Sequence, residues 1–132
     1  MSYLFRDFIK TDSNIKAMEK QIELISNDSH YYVPVVCDND RVVGTAMAIW
    51  CYDLVGECNN FILVENVVVD PEYQRKGLGR LLMKSIEEFG QRNECKYIIL
   101  VSEMEREGSH RFYESLGYTT DQQGFKKRLI LR

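Results

Sequence analysis

The amino-acid sequence predicts an α/β (α+β) fold in which a mixed, mostly antiparallel central sheet carries helices on both faces. Its apolar segments follow the order β-α-β-β-β-α-β-α-β. Strands close together in sequence favour hairpins, and the strand-helix-strand unit in the middle favours a parallel pair joined by a helical crossover. The length of 132 residues suits one compact domain. We therefore expect residues 1–132 to form a single domain.

The first two expected elements are a strand and a helix. Residues 3–9 are apolar and aromatic between polar neighbours, as in a short strand. Asp12 or Ser13 can cap the helix that follows. The apolar residues of this helix recur at spacings of three and four: Ile15, Met18, Ile22 and Ile25.

Three more strands are expected before residue 70. Residues 32–37 and 42–50 flank a turn-forming Asp-Asn-Asp triplet, which predicts an antiparallel hairpin. Residues 61–69 form the next strand, and the Asp-Pro pair at 70–71 ends it.

The second half of the chain is expected to contain two helices and two strands. Residues 97–101 are continuously apolar, which is typical of a strand covered on both faces. A short helix at 108–116 precedes Gly117, which suits a left-handed C-terminal cap, and residues 125–131 form the last strand. The other helix, at about 77–92, has one apolar face: Leu78, Leu81, Leu82, Ile86 and Phe89.

Composition narrows the class of protein. The 17 basic and 20 acidic residues give a net charge of -3, whereas nucleic-acid-binding surfaces usually show a basic excess. No window approaches the roughly 20 apolar residues of a membrane span, and no signal peptide is evident. We expect no nucleic-acid or membrane partner and a reducing, cytoplasmic location. No metal site is expected either, because the four cysteines lack metal-ligand spacing: Cys37, Cys51, Cys58 and Cys95.

The segment after the expected strand at residues 61–69 has the features of a phosphate-binding site. A valine-rich strand end leads into a loop in which Gly77 and Gly79 open an amphipathic helix. Glycines allow unusual backbone conformations and close approach of a ligand. Unpaired amides at a helix start, together with the helix dipole, attract phosphate. Three positively charged side chains add to this attraction: Arg75, Lys76 and Arg80. A pyrophosphate is therefore the expected ligand.

Three glycine-loop patterns can be compared with this segment. The P-loop pattern GxxxxGK[ST] is absent, and GxGxxG fails because Leu82 occupies the third glycine position. The pattern Gln/Arg-x-x-Gly-x-Gly/Ala is filled by Gln74, Gly77 and Gly79. This loop resembles that of the GCN5-related N-acetyltransferase (GNAT) superfamily, in which it holds the pyrophosphate of coenzyme A. The alternative is that the glycines only make a tight turn.

The resemblance extends over most of the chain, from about residue 32 to residue 131. Residues 112–118 (Phe-Tyr-Glu-Ser-Leu-Gly-Tyr), 124–127 and 41–46 are similar to further segments of the family. It implies a GNAT-like sheet of six to seven strands, acetyl-CoA as cosubstrate, an amine acceptor as substrate and a homodimer as a possible assembly. The cofactor-binding residues that it implies are Val67, Val68, Val69, Gln74, Arg75, Lys76, Gly77, Leu78, Gly79 and Arg80.

Two departures from the family pattern affect the site. Many members carry Asn seven residues before the tyrosine that corresponds to Tyr113. This chain has Arg106 at that position, so the contact between the Asn side chain and the cofactor is not carried over. Only about twenty residues separate the first two expected strands, where the family usually has two helices. The acceptor site is therefore expected to be unusually open, or to be completed by a partner subunit.

Two residues are candidates for proton transfer. The resemblance selects Tyr113 as general acid, since a phenol keeps its proton at neutral pH and can give it to a thiolate. Glu65, flanked by apolar residues on the strand, is the candidate base, directly or through a water. The alternative for Tyr113 is a half-buried helix tyrosine, and the alternative for Glu65 is an exposed strand glutamate or one that only orders the substrate. His110 is expected at the surface or beside the cofactor. The basic residues 126–128 are expected either at a solvated strand end or as a cluster that attracts an acidic substrate or the adenosine 3′-phosphate.

Two functions remain open at this point. The first is an acetyl-CoA-dependent N-acetyltransferase that acts on a small amine or a protein amine. The second is a non-catalytic acyl-CoA-binding sensor or partner module. Tyr113 favours the enzyme, because a decayed enzyme would not need the phenol.

Overall fold

The computed structural model describes residues 3–4, 14–102 and 107–130. The chain forms two compact units, Met1–Leu100 and Val101–Arg132. Within residues 14–100 the helices are α1 (Ile15–Ser26) and α2 (Leu78–Arg92), and the strands are β1 (Tyr31–Tyr32), β2 (Val35–Asp38), β3 (Arg41–Cys51), β4 (Phe61–Val69) and β5 (Tyr97–Leu100). A short 3-10 turn, Pro71–Tyr73, follows β4, and the second unit contains the helix α3 (Glu107–Ser115).

The sheet of the first unit is mixed and mostly antiparallel, as the sequence predicts. Its strand order is β1-β3-β4-β5, and β2 also pairs with β3. All pairs are antiparallel except β4–β5, which is parallel and connected through α2. The predicted hairpin and the predicted strand-helix-strand unit are both confirmed.

Pro34 divides what the sequence presents as one strand at 32–37. The two short strands β1 and β2 lie on either side of Val33 and Pro34. Proline has no amide hydrogen to donate to a ladder. Its carbonyl oxygen instead accepts hydrogen bonds from the hydroxyl of Thr45 (2.9 Å) and the amide of Ala46 (3.4 Å).

The predicted capping residue of α1 is wrong by one or two positions. Asn14 caps the helix, with its side-chain oxygen accepting from the amide of Ala17 at 3.0 Å. Asp12 and Ser13 lie outside the described residues. The helix itself follows the predicted periodicity, yet none of its residues is buried.

Helix α2 covers the sheet with Leu82, Met83, Ile86 and Phe89, all buried. Leu81, which the pattern places on the apolar face, is instead 58% exposed. The packing is close: a Cβ added to Gly90 would lie 3.2 Å from the Cγ1 atom of Ile62 on β4.

The terminal strands differ from the predictions. Tyr3 and Leu4 are helical, and residues 5–9 lie outside the described ranges. Residues 118–130 form no strand, and the side chains of Phe125 and Leu129 are about nine-tenths exposed. A strand-like composition forms a strand only where a neighbour supplies ladder hydrogen bonds. The described part of the chain therefore contains a sheet of five strands rather than six or seven.

Strand β5 is shorter and more open than predicted. It ends at Leu100, and Tyr97 is 44% and Val101 66% exposed. β5 is therefore an edge strand with half-buried residues, and the prediction of a strand covered on both faces is wrong.

Two negative findings apply to the described residues. None of their helices has the length and apolar character needed to cross a bilayer. They also contain no cluster of three or more His, Cys, Asp or Glu side chains able to hold a metal ion.

The four free thiols are expected to differ in reactivity. Cys37 and Cys58 are exposed, whereas Cys51 and Cys95 are half-buried. Burial raises the pKa of the Cys51 and Cys95 thiols, so their thiolate fraction at mildly alkaline pH is smaller and they react more slowly. Titration with an aromatic disulfide reagent should modify Cys37 and Cys58 first, and a Cys→Ser variant of each should remove a fast phase. Loss of a fast phase in Cys51→Ser or Cys95→Ser would contradict this assignment.

Candidate active site

Strand β4 extends beyond its parallel neighbour. Its pairing with β5 runs from Phe61↔Tyr97 to Val64↔Leu100, while β4 itself continues to Val69. From Glu65 onward, the side of β4 that faces β5 has no ladder partner among the described strands. Such an edge presents backbone N–H and C=O groups to a ligand.

A β-bulge lies where this open edge begins. The register with β3 passes from Met47↔Glu65 to Thr45↔Val68, so that Ala46 faces two residues of β4. Asn66 in the bulge has a φ of 57°. Bulges bend a strand and re-aim its groups, and they are frequent beside active sites. The sequence analysis missed this bulge, although an Asn within an apolar run is the residue type that best tolerates positive φ after glycine.

The predicted strand residues of the site differ in burial. Glu65 is exposed rather than enclosed by its apolar neighbours. Val68 is buried, and Val67 and Val69 are half-buried. Their side chains therefore contribute to packing, while the backbone of the same residues borders the open edge.

Asp70 fixes the turn that follows β4. Only 7% of this residue is exposed. Its carboxylate accepts from the amide of Glu72 (3.0 Å) and from the guanidinium of Arg41 (3.3 Å). Its amide donates to the carbonyl of Val43 at 2.8 Å, and its carbonyl accepts from the amide of Tyr73 at 2.8 Å. The Arg41–Asp70 contact is a second feature that the sequence analysis missed, because nothing local in the chain indicates a partner 29 positions away.

The loop between this turn and α2 is held by Gln74 and by two left-handed residues. The Gln74 side-chain amide donates to the carbonyl of Val69 at 3.3 Å, which ties the loop back to the end of β4. Arg75 has a φ of 65° and Gly77 a φ of 80°. The side chains of Arg75, Lys76 and Arg80 are exposed.

The start of α2 offers free amides to an anion. Gly77 occupies the N-cap position, and no side chain caps the helix. The carbonyl of Gly77 accepts from the amide of Leu81 at 3.1 Å, which begins the hydrogen-bond series of the helix. The amides of Leu78, Gly79 and Arg80 thus belong to the helix positions that lack an intrahelical acceptor. Together with the helix dipole, such amides favour a phosphate.

The second unit contains Tyr113 on α3. Tyr113 is half-buried, and its ring makes edge contacts with Phe112 (centroids 5.1 Å apart) and Tyr118 (5.8 Å). Its carbonyl accepts from the amides of Leu116 and Tyr118. Gly117 has a φ of 94°, so the predicted left-handed C-terminal cap is confirmed.

The remaining predicted residues are placed as follows. His110 is half-buried on α3, whereas Lys126, Lys127 and Arg128 are exposed. Arg106 lies outside the described residues. The residues expected to bind the cofactor, from Val67 to Arg80, form one continuous strand-turn-helix feature of the first unit.

Comparison with known proteins decides the family. Residues 2–118 match the model of the acetyltransferase (GNAT) family. The chain belongs to this family. The GNAT assignment that the sequence motifs suggested is thereby confirmed, and the protein is an N-acetyltransferase.

Solved structures show the same fold. A protein from Agrobacterium tumefaciens str. C58 that is named as an acetyltransferase has a TM-score of 0.87 at 21% identity, covering 96% of this chain and 90% of that one. The glucosamine-6-phosphate N-acetyltransferase from Arabidopsis thaliana has a TM-score of 0.79 at 19% identity, with coverages of 91% and 82%. AAC(6')-Iy in complex with the bisubstrate analog CoA-S-monomethyl-acetylneamine has a TM-score of 0.76 at 19% identity, with coverages of 88% and 80%. These likenesses establish the GNAT fold.

Proposed function

We propose that this protein is an acetyl-CoA-dependent N-acetyltransferase that transfers an acetyl group directly to a primary amine of a small molecule or protein. The observation that carries the proposal is the uncapped start of α2 behind the left-handed Gly77, next to the open edge of β4. A helix start can hold a diphosphate, and an open strand edge can hold the amide groups of a pantetheine arm.

The residues present fit coenzyme A. The amides of Leu78, Gly79 and Arg80 supply hydrogen-bond donors without a competing side-chain cap. Arg75, Lys76 and Arg80 supply positive charge at the surface of the same loop. Gln74 holds the loop against Val69, so the donors are fixed before a ligand arrives, which lowers the ordering cost of binding.

Each proposed catalytic group has a separate task. Acetyl-CoA, when bound, supplies an activated thioester. The amides of Val67, Val68 and Val69 are the candidate oxyanion donors. Val69 suits this task best, because the amide of the next residue, Asp70, donates to Val43 of β3 and amides alternate between the two sides of a strand, so the amide of Val69 points to the open edge of β4. The phenol of Tyr113 acts as general acid toward the leaving sulfur, and Glu65 accepts the amine proton, directly or through water. The exposure of Glu65 favours the route through water.

The acceptor is expected to be found among amines of modest size. A glucosamine-6-phosphate N-acetyltransferase and AAC(6')-Iy with an acetylneamine analog share this fold, and both names refer to amine-bearing sugars. A test panel should therefore contain amino sugars and their phosphates, aminoglycosides and lysine-containing peptides.

The experiment is an incubation of the purified protein with acetyl-CoA and this panel. Acetylated product should be followed by mass spectrometry and free CoA by chromatography, because exposed Cys37 and Cys58 would add to a thiol-reagent signal. An enzyme yields equal amounts of acetylated amine and CoA for at least one acceptor. Binding of CoA without product from any acceptor would instead support the non-catalytic module, and absence of CoA binding would refute both.

A further inference from the structure

We propose that Asp38 and Tyr73 position the ammonium group of Lys76 for a phosphate of the cofactor. The inference rests on the proposed function, because it assigns a positioning role at the same loop. Three contacts carry it: the phenol of Tyr73 with Asp38, the ring of Tyr73 with Lys76, and the Arg41–Asp70 pair beside them.

The first contact attaches the loop to the β2–β3 hairpin. The Tyr73 hydroxyl donates a hydrogen bond to the Oδ2 atom of Asp38, the last residue of β2. The bond raises the pKa of Tyr73, so the phenol remains a donor throughout the neutral range. Hydrogen bonds to an ionised carboxylate are about twice as strong as neutral ones.

The second attachment comes from the other side of the same hairpin. Arg41 is the register partner of Asp38 and reaches Asp70 at 3.3 Å. Asp70 and Tyr73 stand at the two ends of the 3-10 turn. The turn is therefore bound to the hairpin at two points, which fixes its rotation as well as its distance.

The contact between the Tyr73 ring and Lys76 orients the lysine side chain. The Lys76 Nζ atom lies 5.2 Å from the centroid of the Tyr73 ring, within the range of a cation–π contact. The bond to the Asp38 carboxylate enriches the ring in electrons and so strengthens its attraction for the ammonium. An exposed lysine otherwise samples many rotamers, and ordering it in advance reduces what cofactor binding must order.

The test is a double-mutant cycle on Tyr73 and Lys76, read as KM and kcat for acetyl-CoA. Tyr73→Leu should raise KM about two- to fivefold and leave kcat unchanged. In a Lys76→Met background, Tyr73→Leu should raise KM no further. Tyr73→Phe keeps the ring and removes only the bond to Asp38, so its KM should fall between those of wild type and Tyr73→Leu, as should that of Asp38→Asn.

Tyr97 offers a matched control. It is a partly exposed tyrosine whose hydroxyl also contacts an aspartate, Asp53, at 3.5 Å, but it lies at the start of β5. Tyr97→Leu should leave KM unchanged. Three results would each overturn the positioning role. The first is an equal rise of KM in Tyr97→Leu, and the second is a Tyr73→Leu effect on KM that persists in full in the Lys76→Met background. The third is a loss in Tyr73→Leu that is confined to kcat. Wild-type protein that does not bind CoA would overturn the proposed function as well, so calorimetry on wild type separates the two failures.

Discussion

Replacing Tyr113 with phenylalanine is expected to lower kcat about 10²- to 10⁴-fold, the usual contribution of general acid–base catalysis. The variant removes one oxygen atom and keeps the ring that contacts Phe112 and Tyr118. The fold of α3 and the KM for acetyl-CoA should therefore be retained. Steady-state kinetics with the best acceptor, together with a thermal melt of the variant, measures both quantities.

Tyr118→Phe is the matched control for this prediction. It removes a phenolic oxygen from the same unit, three residues beyond Ser115, the last residue of α3. Its kcat should remain close to that of wild type. Equal losses in the two variants would assign the effect to packing of the aromatic cluster, and full activity of Tyr113→Phe would remove Tyr113 from the mechanism.

Replacing Gly77 with valine should weaken CoA binding about 5- to 150-fold, since a β-branched residue at positive φ costs about 1–3 kcal/mol. Gly77 has a φ of 80°, and a Cβ atom there would meet nothing within 4 Å. The effect thus comes from the backbone and not from a clash. The loop can relieve the strain only by turning the amides at the start of α2. Calorimetric titration with CoA provides the measurement.

Gly56→Val separates loop geometry from general destabilisation. Gly56 has a φ of 62°, also has no heavy atom within 4 Å of an added Cβ, and lies in the β3–β4 connection. Both variants should lose similar stability to urea, but only Gly77→Val should lose affinity for CoA. Similar affinity losses in both would show that the left-handed turn at Gly77 has no special part in binding.

Much of the fold could be predicted because its signals are local. The apolar run at 61–69 followed by Asp-Pro predicts β4 with the bounds observed, Phe61–Val69. The glycine pair predicts a helix from about Gly77, and α2 begins at Leu78. Gly117 predicts that the last helix ends at Leu116, and α3 ends at Ser115. In each case a run of side chains or a glycine at a fixed offset determines the backbone without help from distant parts of the chain.

The features that escaped prediction depend on distant partners. The bulge at Asn66 arises because β3 and β4 differ by one residue in register, and the register is visible only once the strands are paired. The contacts Arg41–Asp70 and Asp38–Tyr73 join residues 29 and 35 positions apart. The expected strand at 125–131 failed for the same reason, since composition cannot tell whether a neighbouring strand offers an edge.

A crystal structure of the protein with coenzyme A at saturating concentration is the most direct test of the proposed binding mode. Diphosphate oxygens should lie within hydrogen-bond distance, roughly 2.7–3.2 Å, of the amide nitrogens of Leu78, Gly79 and Arg80, with the pantetheine arm along β4 beyond Val64. The proposed binding mode would be contradicted if coenzyme A bound elsewhere on the protein. It would also be contradicted if the amides at the start of α2 contacted only water while the cofactor was bound.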